Sequence, residues 1–353
     1  MIAYLTISLL PLILSIFFDL NSNSVEAKKS KRNYIIICGV ILFLFLAFRS
    51  HLIGSTDTKN YYNMMKRAIS ASSWKNYYIE DGVETGFQFF VFLLSRIFKN
   101  PQWIIIISTG IYIVSTCIFI YKNSDNVVLS VVMYITLGLM DFQMQGMRQA
   151  IAMSICLFAF EFAKNKRFVP FLLTCLLATQ MHISSMTFVV VYFVLNMRNR
   201  PFKALLMVVA SIVLLLSSEL IVNIGNNAFD MDYNTVTVKS GGVIAVLIYV
   251  LILTFPFFIN NDARKDDDIM NLFYFTILGF VCYLMRYTGT IIAERISFYF
   301  MFGQILLLPK ALKRLVINER EIIKLIVCIL SIALFAYRLI GSDLLPFEFF
   351  WNV

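Results

Sequence analysis

The sequence predicts an all-α, polytopic integral membrane protein, and three observations lead to that class. Of its 353 residues, 59% are hydrophobic and only 14% are charged, whereas a soluble domain carries about 25% charged residues. The mean hydropathy of the chain is +0.79. Apolar runs follow one another with short polar breaks and lack the alternation over about ten residues that marks barrel strands. We therefore treat residues 1–353 as a single polytopic membrane domain.

The apolar runs predict about twelve transmembrane helices, within a range of eleven to thirteen. The predicted spans are Met1–Phe18, Tyr34–Phe48, Trp103–Tyr121, Val127–Met140, Met147–Ala163, Phe168–Met181, Ser184–Met197, Ala204–Val222, Val243–Ile259, Ile269–Tyr287, Thr290–Leu308 and Ile322–Ile340. A further apolar run, Phe87–Phe98, would rise only about 18 Å as a helix, short of a hydrocarbon core of about 30 Å. We expect it to be re-entrant or to lie along the outer interface.

Lysine and arginine set the orientation, because positive loops stay in the cytoplasm. Five basic clusters fall in breaks between the runs, around Lys28–Arg32, Lys164–Arg167, Arg198–Lys203, Arg264–Lys265 and Lys310–Lys324. Placing them inside puts two polar segments outside, a first at residues 49–86 and a second at residues 223–242. The formal charge of +9 thus follows from topology, and we expect no nucleic-acid partner.

Several kinds of site are excluded by missing motifs. The six cysteines all lie in apolar runs without a CxxC pair, which argues against both a disulfide framework and a zinc site. The chain also lacks a P-loop, an HExxH zinc motif and a GxSxG elbow, so no site for ATP, a metalloprotease or that type of hydrolase is expected. We predict no metal and no cofactor.

Ionisable side chains collect at the predicted outer helix ends. Arg148 begins an apolar helix, although a cation costs roughly 2.5–3.5 kcal/mol at bilayer depth. The others are Arg49, Asp57, Glu84, His182, Arg286, Glu294 and Arg295. Four arginines above a membrane cavity predict a cradle for a lipid-linked phosphate or pyrophosphate, because the guanidinium fork suits phosphate oxygens.

Five segments resemble, in order and spacing, the EpsG-like branch of the Wzy polysaccharide polymerases. They are FRSHLIGSTDTKNYYNMM (48–65), VETGFQFF (83–90), MRQAIAMSICLFAFEFAKNKR (147–167), ATQMHISSMTFVVVYF (178–193) and ERISFYF (294–300). The most specific features are the spacing of Arg49, Gly54, Asp57 and Tyr61 and the RQ-x-IA motif that begins at Arg148. One departure is that Ser55 and Thr56 separate Gly54 from Asp57, where the family often has Gly-Thr-Asp.

The resemblance implies a glycosyltransferase of the bacterial inner membrane with a GT-C-like fold and a periplasmic active site. Such an enzyme joins oligosaccharide repeat units carried on undecaprenyl pyrophosphate into O-antigen, capsular polysaccharide or exopolysaccharide. It would use no metal and no nucleotide sugar. Besides its lipid-linked substrate and membrane lipid, the implied partners are a flippase and a chain-length regulator.

For the chemistry, we expect arginines to stabilise the leaving diphosphate and a histidine to accept the proton of the acceptor hydroxyl. Arg148 and Arg295 are assigned the first role, with Arg286 and Arg49 in support. His182 is the first choice of base, with Glu294 or Asp57 as substitutes. The residues expected to bind the substrate are Arg49, Asp57, Tyr61, Tyr62, Glu84, Gln149, Arg286 and Tyr299. Direct attack by the acceptor predicts inversion at the anomeric carbon.

Two other functions stay open on the sequence. A lipid-linked oligosaccharide flippase would bind the same pyrophosphate, but it is expected to show internal repeats and charges reachable from both faces. An O-antigen ligase uses similar chemistry to transfer a finished chain. The EpsG-like segments favour the polymerase.

Overall fold

The structure is a computed structural model that describes residues 1–20, 24–54, 56–77, 79–197, 201–205, 207, 209, 242–259, 263–288 and 291–352. Only the backbone is described at 56, 286, 288 and 291–293. Most of the predicted span Ala204–Val222 and of the outer loop 223–242 therefore lies outside the described residues, as does the side chain of Arg286.

The described residues are helical and contain no strand. The helices are α1 (Ile2–Ser15), α2 (Val25–Ala47), α3 (Thr56–Ser70), α4 (Thr85–Ile97), α5 (Trp103–Asn123), α6 (Val127–Thr136), α7 (Leu139–Gln145), α8 (Met147–Lys164), α9 (Phe168–Thr179), α10 (Val190–Asn196), α11 (Val243–Ile259), α12 (Asp267–Leu284), α13 (Ile291–Met301), α14 (Gln304–Leu312) and α15 (Ile317–Leu339). Short 3-10 helices cover Trp74–Asn76, Ile183–Val189, Ala263–Lys265, Met285–Thr288 and Phe350–Asn352.

Four helices in the described part are long and apolar enough to cross a membrane: α2, α5, α12 and α15. The bent pair of α6 and α7 makes up to five. Shorter apolar helices accompany them, among them α1, α4, α9 and α11. The all-helical membrane class predicted from composition is confirmed at this level.

Helix α6 lies in the centre of the fold. All ten of its residues are buried, as expected for a helix that is apolar on every side. It packs against α1, α14 and α15. The cysteines are free, and all but Cys117 are buried, which agrees with packing roles.

Three predicted spans are interrupted rather than continuous. Val127–Met140 bends by 42° where α6 meets α7, at Gly138, whose φ of +107° is accessible mainly to glycine. Thr290–Leu308 divides into α13 and α14 beside Gly303, where a Cβ atom would lie 2.7 Å from Oγ1 of Thr276. Ser184–Met197 begins as a 3-10 helix in which Oγ1 of Thr187 donates to the carbonyl of Ser184 at 2.7 Å, a side-chain bond that competes with regular helix geometry.

The first polar segment, residues 49–86, is folded and not an open loop. It forms α3, whose buried face packs with α4 and the start of α5 in one apolar cluster built around Tyr61, Met65 and Phe87. With 13 residues, α4 rises about 20 Å and is too short to cross a bilayer as a straight helix. Its expected re-entrant or interfacial position stays a prediction.

The chain after α15 returns to the end of the molecule at which α2 ends. The Ser50 amide donates to the Glu348 carbonyl at 2.9 Å, and the Phe350 amide donates to the Phe48 carbonyl at 2.9 Å. The Tyr4 hydroxyl donates to the Leu344 carbonyl at 3.2 Å. The segment after α15 thereby connects α1 to the residues that follow α2.

Charged residues lie at both ends of the long helices, in two separate groups. Helix α8 carries Arg148 in its first turn and Lys164 in its last. At the Lys164 end, Asp125 pairs with Lys310 and Lys313, and Asp266 pairs with Arg314. We call this the basic end and the Arg148 end the outer end.

The start of α4 approaches the end of α9 too closely for a side chain at Gly86. A Cβ atom there would lie 2.6 Å from both Cβ and the carbonyl oxygen of Gln180. Gly86→Ala should therefore lower the midpoint of thermal unfolding in detergent. The matched control is Gly110→Ala in α5, where the nearest atom would lie at 3.4 Å. The control should be neutral or slightly stabilising, because alanine favours helix by about 1 kcal/mol over glycine. Equal midpoints for the two variants would contradict the contact.

Candidate active site

Arg148 lies at the beginning of α8, where α3 and the loop before α4 both contact its guanidinium group. Its Nη1 lies 2.5 Å from Oε2 of Glu84 and donates to the Gly82 carbonyl at 3.3 Å. Its Nε donates to the Tyr61 hydroxyl at 3.0 Å. Nη2 donates to no described residue. The side chain of Arg148 is 13% exposed. Nη2 is therefore the guanidinium nitrogen that remains available to a ligand.

Glu84 connects Arg148 to His182. It precedes α4, and its second oxygen, Oε1, lies 2.8 Å from Nδ1 of His182 and accepts from the Ile183 amide at 2.9 Å. Burial opposes ionisation, but the hydrogen bond from His182, the charge of Arg148 and the hydrogen bond from the Ile183 amide outweigh it and lower the pKa of Glu84 to about 2. The carboxylate is therefore ionised at neutral pH.

His182 follows α9 in an extended conformation, with φ of −160°. Burial lowers its pKa below the usual value of 6.5, against the opposing effect of Glu84, and the charges of Arg148 and Arg295 lower it further. The ring is thus neutral at pH 7. A carboxylate can only accept, so the proton is assigned to Nδ1. Nε2 then carries a lone pair, and no described residue bonds to it. This is the form required of a general base.

A second group of predicted residues lies beside this cluster. Arg295 on α13 pairs with Asp57 on α3 at 3.4 Å, and these two side chains are 43% and 34% exposed. Gln149 donates to the Arg295 carbonyl at 2.6 Å and so links α8 to α13. The charge of Arg295 reaches both His182 and Tyr61, since it affects the pKa of each. We call Tyr61, Glu84, Arg148, His182, Asp57 and Arg295 the outer cluster.

Tyr299 is buried one helical turn after Arg295, and its hydroxyl lies 3.1 Å from that of Ser184. It positions the segment after His182 and does not present a free aromatic face. Tyr62 instead stacks on His51, with ring centroids 4.0 Å apart.

Two predicted residues lie apart from the outer cluster. Arg49 is fully buried, and its Nη1 donates to the Leu46 carbonyl at 2.6 Å and to Oγ1 of Thr109 at 3.3 Å. Glu294 precedes Arg295 but lines a different cavity, of about 190 Å³, together with Phe298 and Met301. Consecutive helical residues point about 100° apart, which explains the separation. This arrangement does not support the substrate role predicted for Arg49. It also does not support the role of substitute base predicted for Glu294.

Sequence reasoning did not select Gln88, a buried residue that shapes the loop before Glu84. Its side-chain amide donates to the carbonyls of Glu80 and Val83, both at 2.9 Å, and its oxygen accepts from the Glu80 amide at 2.8 Å. These three hydrogen bonds fix the loop in a position where the Gly82 carbonyl accepts from Arg148. The available signal was a glutamine within the otherwise apolar run after Glu84.

An ion pair between the buried Asp141 on α7 and the exposed Arg338 on α15 was also missed. Arg338 additionally donates to the Thr136 carbonyl at 3.0 Å. Ionisable residues inside apolar helices are the expected signal for such a site, and both were visible in the sequence. The pair fixes α15 at the bend between α6 and α7.

A family comparison extends over nearly the whole chain. The EpsG family matches residues 32–350. The chain belongs to the EpsG family. This is a family of polysaccharide polymerase-like proteins, and the resemblance noted in the sequence is thereby confirmed. No curated protein and no solved structure gives a significant match. Every member of the outer cluster lies within the range that matches the EpsG family.

The depressed pKa of Glu84 gives a test of the cluster by stability. Folding favours the carboxylate, so its contribution is complete above pH 4.5 and is lost as the pH falls toward about 2. Glu84→Gln should cost about 3 kcal/mol at neutral pH. The difference in unfolding midpoint between wild type and Glu84→Gln, measured in detergent, should shrink as the pH is lowered.

The control is Glu26→Gln, which changes an exposed carboxylate in the first turn of α2. Its midpoint should follow that of wild type across the whole pH range. A Glu84→Gln difference that stays constant with pH would contradict the proposed ionic contacts.

Proposed function

We propose that this EpsG-family chain is a glycosyltransferase that polymerises undecaprenyl-pyrophosphate-linked oligosaccharide repeat units at the periplasmic face of the bacterial inner membrane. The product would be O-antigen, capsular polysaccharide or exopolysaccharide. The proposal includes about twelve spans in a GT-C-like arrangement. A flippase and a chain-length regulator are the proposed partners.

The observation that carries the proposal is the carboxylate that Arg148 and His182 share. Glu84 contacts Nη1 of Arg148 at 2.5 Å and Nδ1 of His182 at 2.8 Å. A candidate anion-binding group and a candidate base are therefore held next to each other by one buried acid. Polymerisation needs both functions at adjacent atoms, because the leaving diphosphate and the attacking hydroxyl meet at one anomeric carbon.

In the proposed reaction, the hydroxyl of the acceptor unit attacks the anomeric carbon of the donor unit. Its proton passes to Nε2 of His182 while the new carbon–oxygen bond forms. The bond between the anomeric carbon and the diphosphate breaks, and its electron pair stays on the diphosphate oxygen. Attack from the opposite face inverts the anomeric configuration.

The charge that develops on the diphosphate is met by arginine. Nη2 of Arg148 is the donor left over from the contacts with Glu84 and Tyr61, and Arg295 is the more exposed cation beside it. Preorganised donors in a water-poor site contribute about 3–4 kcal/mol each to such transition states. The proposed mechanism therefore uses fixed cations of the chain and calls for no metal.

The remaining residues of the cluster are assigned positioning roles. Tyr61 is buried against Phe87, at 5.4 Å between ring centroids, and receives the Arg148 Nε–H bond. Gln149 fixes the backbone at Arg295. Asp57 neutralises part of the Arg295 charge and lies at the exposed edge where glycan would approach.

Loss of either central group should abolish polymer growth. Arg148→Ala, Arg148→Lys and His182→Ala should each lower polymerisation by about a hundredfold or more, compared at equal amounts of membrane-inserted protein. Lysine fails because a point charge cannot donate simultaneously to Glu84, Tyr61 and a phosphate. The measurement is the glycan ladder on a gel from a deletion strain that expresses each variant.

The matched control is Arg96→Lys at the other end of α4, where the arginine contacts the Ala68 carbonyl and the Phe92 ring; it should retain the ladder. Single repeat units without a ladder are the result expected of a polymerase. Loss of every unit would instead indicate a flippase or an O-antigen ligase, and wild-type ladders from both Arg148→Ala and His182→Ala would refute the mechanism.

A further inference from the structure

A small cavity lies beside α13, which also carries Arg295 of the outer cluster. Its volume is about 190 Å³, which is below the roughly 300–1,000 Å³ of drug-sized sites. Glu294, Phe298 and Met301 line it from α13. These residues are four and three positions apart and therefore share one face of the helix. The bend between α6 and α7, together with α11, α12, α14 and the end of α15, completes the wall. The cavity has room for one small group next to the outer cluster.

Two polar atoms in the lining of this cavity lack a hydrogen bond. The Tyr249 hydroxyl on α11 and Nε2 of Gln304 on α14 have no partner among the described residues, although both residues are only 2% exposed. Gln304 and Ser297 are polar neighbours of Tyr249, but neither meets its hydroxyl in hydrogen-bonding geometry. About nine in ten buried polar groups are paired in proteins. Two unpaired groups in one cavity therefore point to a molecule that occupies it.

The charges of the lining balance each other. Among the described lining residues, Glu294 supplies one carboxylate and Arg338 one guanidinium group, and Asp141 fixes Arg338 in place. The mouth of the cavity lies at the outer end, between the first turn of α11 and the last turn of α15, where Ile244 and Tyr337 are exposed. A neutral polar ligand matches this balance better than a phosphate does.

A sugar ring has the chemistry that the lining requires. Each sugar hydroxyl both donates and accepts, so a single ring can satisfy the Tyr249 hydroxyl and the Gln304 amide together. Its C–H face can pack on apolar side chains such as Phe298 and Leu334, which also line the cavity. An acyl or prenyl chain would instead leave both polar atoms unpaired, and a site built to bond a hydroxyl group rejects a ligand that lacks one.

We propose that this cavity binds one neutral sugar ring of the lipid-linked repeat unit. Glu294 lines the cavity and Arg295, the next residue, belongs to the outer cluster, so both sites lie within the span of one oligosaccharide. A ring held here positions the glycan while its reacting end lies at the outer cluster. The inference rests on the proposed polymerase function, because that function supplies the oligosaccharide.

The first test is kinetic and uses lipid-linked repeat units extracted from the deletion strain. With purified full-length protein, Tyr249→Phe should raise the KM for the repeat unit about tenfold, because a ligand hydrogen bond is lost. The kcat should change little, since the bond is present in both the bound substrate and the transition state. Gln304→Met should have the same effect, and the double variant should have a larger one. The unfolding midpoint of each variant without substrate should equal or exceed that of wild type, because an unpaired buried group has been removed.

The matched control is Tyr134→Phe in α6. The Tyr134 hydroxyl is also buried without a partner among the described residues, but Tyr134 does not line the cavity. Tyr134→Phe should keep or raise the unfolding midpoint and leave the KM unchanged. A KM that also stays at the wild-type value in Tyr249→Phe and Gln304→Met would show that the cavity holds only water, and it would overturn the proposal.

The second test measures binding without catalysis. Its probe is the repeat-unit oligosaccharide released from the lipid carrier by mild acid, and saturation-transfer NMR reports contact with the full-length protein in detergent. The signal should concentrate on one sugar ring and disappear in Tyr249→Phe/Gln304→Met. It should persist in Tyr134→Phe and in Arg148→Ala, which should bind the oligosaccharide without polymerising repeat units.

The two tests separate this proposal from the polymerase proposal. A wild-type protein that binds the oligosaccharide in this pattern but forms no polymer would refute the polymerase function and leave the sugar site standing. A wild-type protein that does not bind the oligosaccharide, or a double variant that binds it as well as wild type, would overturn the sugar site whether or not polymer forms.

Discussion

The outer half of this fold depends on one buried carboxylate. Arg148 begins an apolar helix, where an unneutralised cation would be costly, and Glu84 lies 2.5 Å from it. The same carboxylate orients His182 and accepts the Ile183 amide. It therefore ties the first polar segment to α8 and to the turn after α9. The absence of a side chain at Gly86 and the three bonds of Gln88 make this approach possible. The site and the local fold are stabilised by the same contacts.

The membrane class and most of the cluster could be predicted because their signals are local. Composition indicates the environment, and Arg148 and His182 are conspicuous as polar residues beside apolar runs. The contacts of Glu84 with Arg148 and His182 could not be predicted, because 64 and 98 residues separate it from these two partners. Sequence reasoning assigned Glu84 to glycan binding because it could not foresee the packing of α4 against α9. The breaks at Gly138 and Gly303 were missed for a related reason, as hydropathy does not report backbone direction.

Side-chain direction also divides residues that the sequence places together. Glu294 and Arg295 look like one charged pair, yet the turn of α13 sends the first toward α11 and α15 and the second toward Asp57. Arg49, grouped with the other arginines by its position at a helix end, is enclosed by the polypeptide. Of the four candidate arginines, Arg148 and Arg295 lie near the Glu84–His182 pair and Arg49 does not. The Arg286 side chain lies outside the described residues.

The residues after α15 have a consequence for biosynthesis. They supply the carbonyl of Glu348 and the amide of Phe350 to the strand-like stretch around Arg49. Translation reaches them only after every helix from α3 to α15 has been made, so the shell around that arginine closes late. Pairing between segments so distant in sequence is also slow to form, because the intervening chain must first be ordered.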